Sequence, residues 1–322
     1  MNHTLSYKTK QFFFVLIKLG IVAGAFYFIY KKLTDNTALD FSVFVDFLTK
    51  NDVFSLKNVL FLLFLTFLNW FLEIVKWQKL VATVKKIAFI KALEQSLGAL
   101  TASLFTPNRI GEYGAKAIYY RGGFRKKIVL LNLLGNITQM VTTILFGLIG
   151  ISLFITKYHI TINYYKLAAV LLVVLLGFVM IGFGIRKSKV TIKGVSIEKI
   201  KTFIINFSKK ALAQTLLLSV LRYLIFSFQF YFLLHSFKTD IGYFDAMVFI
   251  TSMYFLSSVI PSIFIFDVVI KGSVAIYLFA FIQVDELTML SITTLMWLLN
   301  FVLPGLFGSY YVLNFNLPKD ED

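Results

Sequence analysis

A chain of 322 residues that is 58% hydrophobic and only 15% charged, with a mean hydropathy of +0.81, is too apolar to be a soluble globular protein. A net charge of +16 would suggest nucleic acid as the partner of a soluble protein; in a membrane protein the basic residues orient the spans, so no nucleic-acid partner is expected. The composition predicts an all-α polytopic membrane protein, and the lack of cysteine excludes disulfide bonds and thiolate chemistry.

Apolar runs long enough to form transmembrane helices recur along the chain. The first follows Lys8 and Lys10 and continues through Tyr30, which makes it longer than the apolar region of a signal peptide, so we interpret it as a retained anchor. Roughly 20 helical residues are needed to cross a bilayer core of about 30 Å. Six segments meet that length: about 12–30, 58–80, 128–156, 167–185, 211–235 and 288–313.

The loops between these spans differ in charge. Residues 31–57 hold four Lys against four Asp, residues 76–127 hold eleven basic against two acidic residues, and residues 186–210 hold eight against one. Lys and Arg accumulate on the cytoplasmic side of a membrane. The pattern therefore predicts a multi-pass protein of the inner (plasma) membrane, with the two basic loops and both termini in the cytoplasm and residues 31–57 outside.

Two further apolar segments, 88–122 and 246–283, are ambiguous. A single crossing within the first would place the basic residues 125–127 outside, against the charge rule. In the second, the apolar run 246–260 is about 22 Å long as a helix and stops at Pro261. We expect each segment to be a re-entrant hairpin, which gives six full spans plus two hairpins; the alternative is that each crosses twice, which gives eight spans.

The two halves of the chain resemble each other. Residues 1–160 and 161–322 each contain three predicted spans and one hairpin, so the second half would run in the opposite direction through the membrane. This is an inverted-topology repeat, which is common in secondary transporters. A shift of 154 or 155 residues aligns these pairs: Ala92 with Ala246, Ser103 with Ser257, Pro107 with Pro261, Glu112 with Asp267 and Lys116 with Lys271.

A charged stretch, "TPNRIGEYGAKAIYYRGG", begins at Thr106 and interrupts the first hairpin. Thr-Pro predicts an N-cap and first helical position, so a helix should begin there, at the hairpin tip. The free N–H groups of that helix, together with Arg109, could bind a phosphate or carboxylate. Glu112 and Lys116 are candidate site residues too, unless they form an ordinary i to i+4 helix pair.

Other charges fall inside predicted spans or hairpins. Arg222 lies mid-span, where an Arg costs about 2.5–3.5 kcal/mol, so it should face a polar interior. Glu73 is a candidate site residue one turn from Lys76, whose side chain can reach the membrane surface. Asp267 and Lys271 either neutralise each other or contact substrate from the second hairpin.

Several uncharged polar residues in the spans are expected to join helices by hydrogen bonds, namely Asn132, Asn136, Gln139 and Asn300. Enzyme signatures are lacking: the histidines at 3, 159 and 235 have no metal-ligand spacing, and HExxH, P-loop and GxSxG motifs are absent. We therefore expect no metal, no cofactor and no enzymatic activity.

The stretch "SLFTPNRIGEYGAKAIYY", followed by the span that begins "IVLLNLLGNITQM", resembles the lysylphosphatidylglycerol synthase transmembrane-region family, also called flippase-like integral membrane proteins. The resemblance implies an inner-membrane protein of about eight membrane helices or hairpins that handles anionic or aminoacylated lipids and moves them between leaflets. The family hallmark is matched by Thr106, Pro107, Arg109, Gly111, Glu112 and Lys116.

The chain departs from the family pattern in two respects. The soluble aminoacyl-transferase domain of the full synthases is absent from these residues, so lipid aminoacylation is not expected. In the late segment, family members often have Pro, a glycine-rich stretch and then Glu, whereas "PSIFIFDVVIKG" lacks those glycines and has Asp267.

Three functions follow from these observations. The leading hypothesis is a translocase for an amphiphile with an anionic head, such as a phospholipid or a polyprenyl-phosphate conjugate. The alternative is a non-transporting membrane subunit that binds lipid for an envelope lipid glycosyltransferase or synthase. A third is an intramembrane enzyme that uses Glu112 or Asp267 as acid or base. The expected partners are lipids with anionic headgroups and, under the alternative, an envelope-lipid enzyme.

Overall fold

The computed structural model describes most of the chain from residue 55 onward, and two of the predicted spans, 12–30 and 167–185, lie essentially outside the described residues. At 267 and 268 it describes the backbone alone. The described positions are 55–104, 106, 110–160, 202–203, 205–259 and 267–317, with 19, 20, 23, 27, 49, 53, 191–192 and 195–196.

The described residues form helices and one minimal antiparallel strand pair. The strands are β1 (Thr191–Ile192) and β2 (Val195–Ser196). Numbered in chain order, the helices are α1 (Leu56–Ala82), α2 (Phe89–Ser103), α3 (Gly111–Ile118), α4 (Gly122–Lys157), α5 (Lys209–Ser236), α6 (Tyr243–Val259), α7 (Asp267–Phe279) with a 3₁₀ turn (Ala280–Ile282), α8 (Glu286–Trp297), a π-helix (Leu298–Val302) and α9 (Leu303–Leu313).

Four helices of the described part are long and apolar enough to cross a membrane, α8 to α9 counting as one continuous helix. They contain the predicted spans 58–80, 128–156, 211–235 and 288–313, so these four predictions are confirmed. Three of the four begin at a side chain that caps the helix. Ser55, Ser208 and Asp285 each accept a hydrogen bond from the backbone N–H three residues later.

The predicted hairpin segments are pairs of shorter helices, α2 with α3 and α6 with α7. The prediction that a helix starts at Thr106 is wrong in its boundary, because α3 begins at Gly111. The Thr106 Oγ1 donates to the Ser103 carbonyl at 2.8 Å and accepts from the Gly111 N–H at 3.0 Å, so this side chain links the end of α2 to the beginning of α3. The Gly111 Cα lies so near the Ala102 carbonyl that a Cβ would be 2.8 Å away.

Helices α1 and α5 pack in opposite directions. The Gln229 side chain, late in α5, donates to the Leu62 carbonyl, early in α1, at 3.2 Å. Toward the other end of the contact, Arg222 donates to Glu73 at 2.7 Å. Polar side chains therefore meet along the length of this helix pair.

Helices α4 and α5, by contrast, run in the same direction. The Thr138 and Ser219 hydroxyls are 3.1 Å apart, and further along both helices the Phe146 and Tyr223 rings stack with centroids 5.0 Å apart. Helix α6 returns along α4, and at its start Asp245 pairs with Lys157 at 2.6 Å. Helices α1, α4, α5 and α6 all contribute to the polar interior described next.

Candidate functional site

Arg222 is anchored between two side chains of α1. Its Nη1 donates to the Glu73 carboxylate at 2.7 Å, and its Nε donates to the Asn69 Oδ1 at 3.0 Å. The same Glu73 oxygen, Oε2, also pairs with Lys76 at 2.7 Å. We call these four residues the Arg222 cluster. One carboxylate thus binds two cations within the helical bundle.

The sequence of α1 explains why its three members of the cluster meet. Asn69, Glu73 and Lys76 are spaced four and three residues apart, which places them on one face of a helix. The prediction that Lys76 extends to the membrane surface is wrong, because its side chain is buried against Glu73. A buried charge is tolerated when it is paired, and Glu73 supplies that pairing.

A chain of amides extends the Arg222 cluster to the last long helix. The Asn69 Nδ2 donates to the Asn300 Oδ1 at 2.7 Å, the Asn300 Nδ2 donates to the Gln229 Oε1 at 2.9 Å, and the Gln229 Nε2 donates to Thr66 at 2.9 Å. Asn300 therefore joins α1 and α5, as predicted. It lies in the π-helix, a local widening that often marks functional sites.

Lys116 is the centre of a second buried group, the Lys116 cluster. Its Nζ binds Glu112 at 2.7 Å and Asn132 at 2.9 Å, and it lies 4.2 Å from the centroid of the Trp77 ring. Glu112 and Lys116 do form an i to i+4 pair, but both side chains are buried rather than exposed on a surface helix. The pair is therefore part of the interior, where α3 packs against α4 and α1.

Gln95 completes the polar surroundings of the Lys116 cluster. Its Oε1 accepts hydrogen bonds from the Trp77 indole N–H and the Tyr120 hydroxyl, both at 2.8 Å. Burial raises the pKa of Tyr120 to about 12. Tyr120 thus stays protonated at neutral pH and remains a donor.

A cavity of about 270 Å³ lies between α1, α4, α5, α6, α7 and the π-helix. We call it the polar cavity because most of its lining residues have polar side chains. It is far larger than the roughly 10–15 Å³ that one water needs. Two cations, Arg222 and Lys271, line it, and none of its described lining residues carries a carboxylate. The lining residues are Asn69, Gln139, Thr143, Arg222, Tyr223, Phe226, Tyr254, Ser257, Ser258, Lys271, Asn300 and Phe301.

An apolar cavity of about 20 Å³ adjoins the polar one. Lys271 lines both, with its Nζ 5.8 Å from the centroid of the Phe301 ring. Most of the small cavity is formed by aromatic and Met side chains, including Phe226, Met253 and Trp297.

The structure brings together most of the predicted site residues. Arg222 and Lys271 line the polar cavity, Glu73 lies immediately behind Arg222, and Glu112 and Lys116 form the neighbouring cluster. Arg109 and the side chain of Asp267 lie outside the described residues.

Asn69 was not predicted as a site residue, although its spacing of four residues from Glu73 was a usable signal. Gln139, predicted to join helices, donates to the Ser219 carbonyl at 3.5 Å and also lines the cavity. Among the described residues, no group of three or more His, Cys, Asp or Glu could hold a metal ion.

Long apolar helices around a charged interior define a multi-pass membrane protein. The chain belongs to the lysylphosphatidylglycerol synthase transmembrane-region family, because the family model described as "Lysylphosphatidylglycerol synthase TM region" matches residues 15–308. The predicted resemblance is thereby confirmed, and membership is consistent with a membrane protein involved in lipid handling. Among the curated proteins, none matches the chain.

Proposed function

We propose that this protein is a lipid translocase that moves an amphiphile with an anionic head, such as a phospholipid or a lipid-linked precursor, between leaflets. The observation that carries the proposal is the polar cavity, in which Arg222 and Lys271 face a space of about 270 Å³ among membrane-length helices. Charged residues inside a membrane are costly and mark substrate pathways.

The position of Arg222 along its helix supports passage of a headgroup. It is the fourteenth of the 28 residues of α5, so it lies about halfway between the two ends of a membrane-length helix. A headgroup at that depth loses its hydration and needs fixed donors in exchange. Arg222 and Lys271, which both line the cavity, supply them.

The two predicted site residues whose side chains the structure does not describe belong to the same proposal. Arg109, at the predicted hairpin tip, would receive the headgroup at the cytoplasmic face, and Asp267 would act one helical turn before Lys271 on α7. The sequence has no nucleotide-binding motif, so movement would run downhill or draw on an ion gradient.

The test is a leaflet-exposure assay in proteoliposomes with short-chain fluorescent lipids that differ in headgroup. Wild type is compared with Arg222→Ala and Lys271→Ala, and Lys157→Ala serves as control because Lys157 pairs with Asp245 at an exposed position away from the cavity. We expect movement of an anionic headgroup class that both cavity variants lose and the control retains. If folded wild-type protein moves none of the lipids, the translocase is excluded and a lipid-binding subunit is favoured.

A further inference from the structure

Arg222 has little freedom to reorient. An arginine has five N–H donors, and the hydrogen bonds to Asn69 and Glu73 use one on Nε and one on Nη1. Asn69 is itself held by Asn300 at 2.7 Å, so the acceptor that fixes Nε cannot swing away. Because Arg222 also lines the polar cavity, its other N–H groups can bind an occupant.

A guanidinium fixed in this way suits a particular kind of ligand. Its planar fork matches the geometry of phosphate and carboxylate oxygens, with two parallel hydrogen bonds, whereas an ammonium acts as a point charge. No reorientation of Arg222 is needed on binding, which lowers the entropic cost of recognition. The site is therefore preorganised for an oxyanion.

The charge balance points to the same ligand. Arg222 and Lys76 are two cations that share a single carboxylate, that of Glu73. The described lining of the polar cavity adds no further acidic side chain. A headgroup that ends in an ammonium would meet cations in a poorly screened interior, where like charges repel strongly.

We propose that the polar cavity is an oxyanion site, that Asn69 is the positioning residue for Arg222, and that the lipid it takes has a net negative headgroup without an ammonium group. This inference rests on the proposed function and narrows its substrate class. The resemblance to the family implied anionic or aminoacylated lipids, and the cavity favours the anionic ones. The recognised chemistry is a phosphate, whether on a lipid or free in solution.

Three lining residues have hydrogen-bonding capacity that the described part of the protein does not use. The Tyr223 and Tyr254 hydroxyls and the Gln139 Oε1 are buried there without a hydrogen-bond partner. Such groups are rare in native interiors, and a bound ligand is one reason for them. A hydroxyl on the headgroup could donate to Gln139, and the Tyr254 hydroxyl could donate to a phosphate oxygen.

Equilibrium binding to the purified full chain tests the inference. The probes are fluorescent short-chain lipids with identical tails and three headgroups: phosphoglycerol, phosphoethanolamine and the lysyl ester of phosphoglycerol. We expect the anionic phosphoglycerol lipid to bind about tenfold or more tightly than the cationic lysyl ester, since one charge-assisted hydrogen bond alone accounts for a factor of that size. Inorganic phosphate and glycerol phosphate are the soluble competitors.

Variants separate positioning from general damage. Arg222→Lys keeps the charge and loses the fork, so we expect the anionic lipid to bind about 10- to 100-fold more weakly. Asn69→Ala should weaken anionic binding and reduce the preference for phosphoglycerol over phosphoethanolamine. Asn69→Asp keeps an acceptor for Nε and adds a negative charge, so it should lower that preference too. Arg125→Lys, in which an Arg outside the cavity lining is changed, should leave all three affinities unaltered.

The outcomes that would overturn the inference are distinct from those against the proposed function. Binding of the lysyl ester as tightly as phosphoglycerol, or unchanged binding of phosphoglycerol by Arg222→Lys, would refute the oxyanion site. An equal loss for all three lipids in Asn69→Ala would refute the positioning role of Asn69. If inorganic phosphate displaced the bound lipid at concentrations similar to that of the lipid itself, the ligand of the site would be free phosphate and not a lipid headgroup. Selective binding in a protein that moves no lipid would leave the site intact and refute the translocase.

Discussion

Glu73 is the residue on which the interior charge balance depends. It binds both Lys76 and Arg222 through one oxygen, and its side chain is only 12% exposed. Glu73→Gln would leave the two cations facing each other without a compensating charge. Removing one partner of a buried ion pair costs about 3–5 kcal/mol. We expect a clear fall in the melting temperature of the purified protein. The measurement is thermal unfolding monitored by the protein's own fluorescence, without an added dye.

Glu94→Gln is the matched control for that substitution. Glu94 pairs with Lys91 at 2.8 Å with the same three-residue spacing, but Lys91 is 63% exposed. Exposed pairs contribute about 0–1 kcal/mol, so the melting temperature should hardly change. Equal effects of Glu73→Gln and Glu94→Gln on the melting temperature would show that the Arg222 cluster contributes no more to stability than the exposed Lys91–Glu94 pair.

Single residues show where sequence reasoning succeeds and where it stops. Arg222 and Glu73 could be predicted as interior groups because a charge in an apolar span demands compensation. Their pairing across 149 positions could not, because it depends on how α1 packs against α5. The burial of Lys76 was missed for the same reason, since nothing local shows that Arg222 would complete the cluster.

At the scale of helices, α2 and α9 approach each other very closely. They are antiparallel, and the Thr101 hydroxyl of α2 donates to the Gly305 carbonyl of α9 at 2.8 Å. One turn further along α9, a Cβ on Gly308 would overlap the Leu97 carbonyl oxygen and the Thr101 hydroxyl. The contact therefore requires glycine at 308, as small residues at membrane helix interfaces generally permit close backbone approach.

Gly308→Ala and Gly114→Ala form a matched pair that tests this packing. A Cβ on Gly114, in α3, would meet no atom within 4 Å, so alanine there should leave stability unchanged or raise it by about 0.5–1 kcal/mol. At Gly308 the same methyl group must push backbone apart, and we expect a lower melting temperature. The packing described for α2 and α9 would be contradicted if the two variants melted alike.

The helices themselves were predictable to different degrees. Hydropathy identified four long helices, because length and apolar content are properties of local sequence. The start of α3 was misplaced, because Thr106 bonds back to Ser103 and forward to Gly111 instead of opening a helix at once. Turn geometry of this kind depends on the end of the preceding helix.

For the whole molecule, the directions of the helices are informative. In each half of the chain the described order is long, short, short, long: α1 to α4, then α5 to α9. Helix α5 is antiparallel to α1, its counterpart in the first half, and parallel to α4. A reversal between counterpart helices is what the inverted repeat requires; the repeat itself stays a prediction.

Cysteine labelling tests the predicted orientation, and the chain is convenient for it because it contains no cysteine. Lys126 precedes the apolar part of α4, and Asp240 follows α5; both are exposed. With an impermeant maleimide, Lys126→Cys should react from the cytoplasmic face and Asp240→Cys from the outside. Reaction of both from one face, or the reverse assignment, would contradict the charge-based topology.

The chain has three tryptophans, and all of them adjoin the polar interior. The Trp70 indole donates to the Asn300 carbonyl at 3.1 Å, the Trp77 ring lies 4.2 Å from the Lys116 ammonium, and Trp297 lines the apolar cavity. Indole emission shifts in wavelength with the electric field around the ring. The ultraviolet fluorescence of the unlabelled protein is thus an intrinsic reporter of the electric field that the charges at its centre produce.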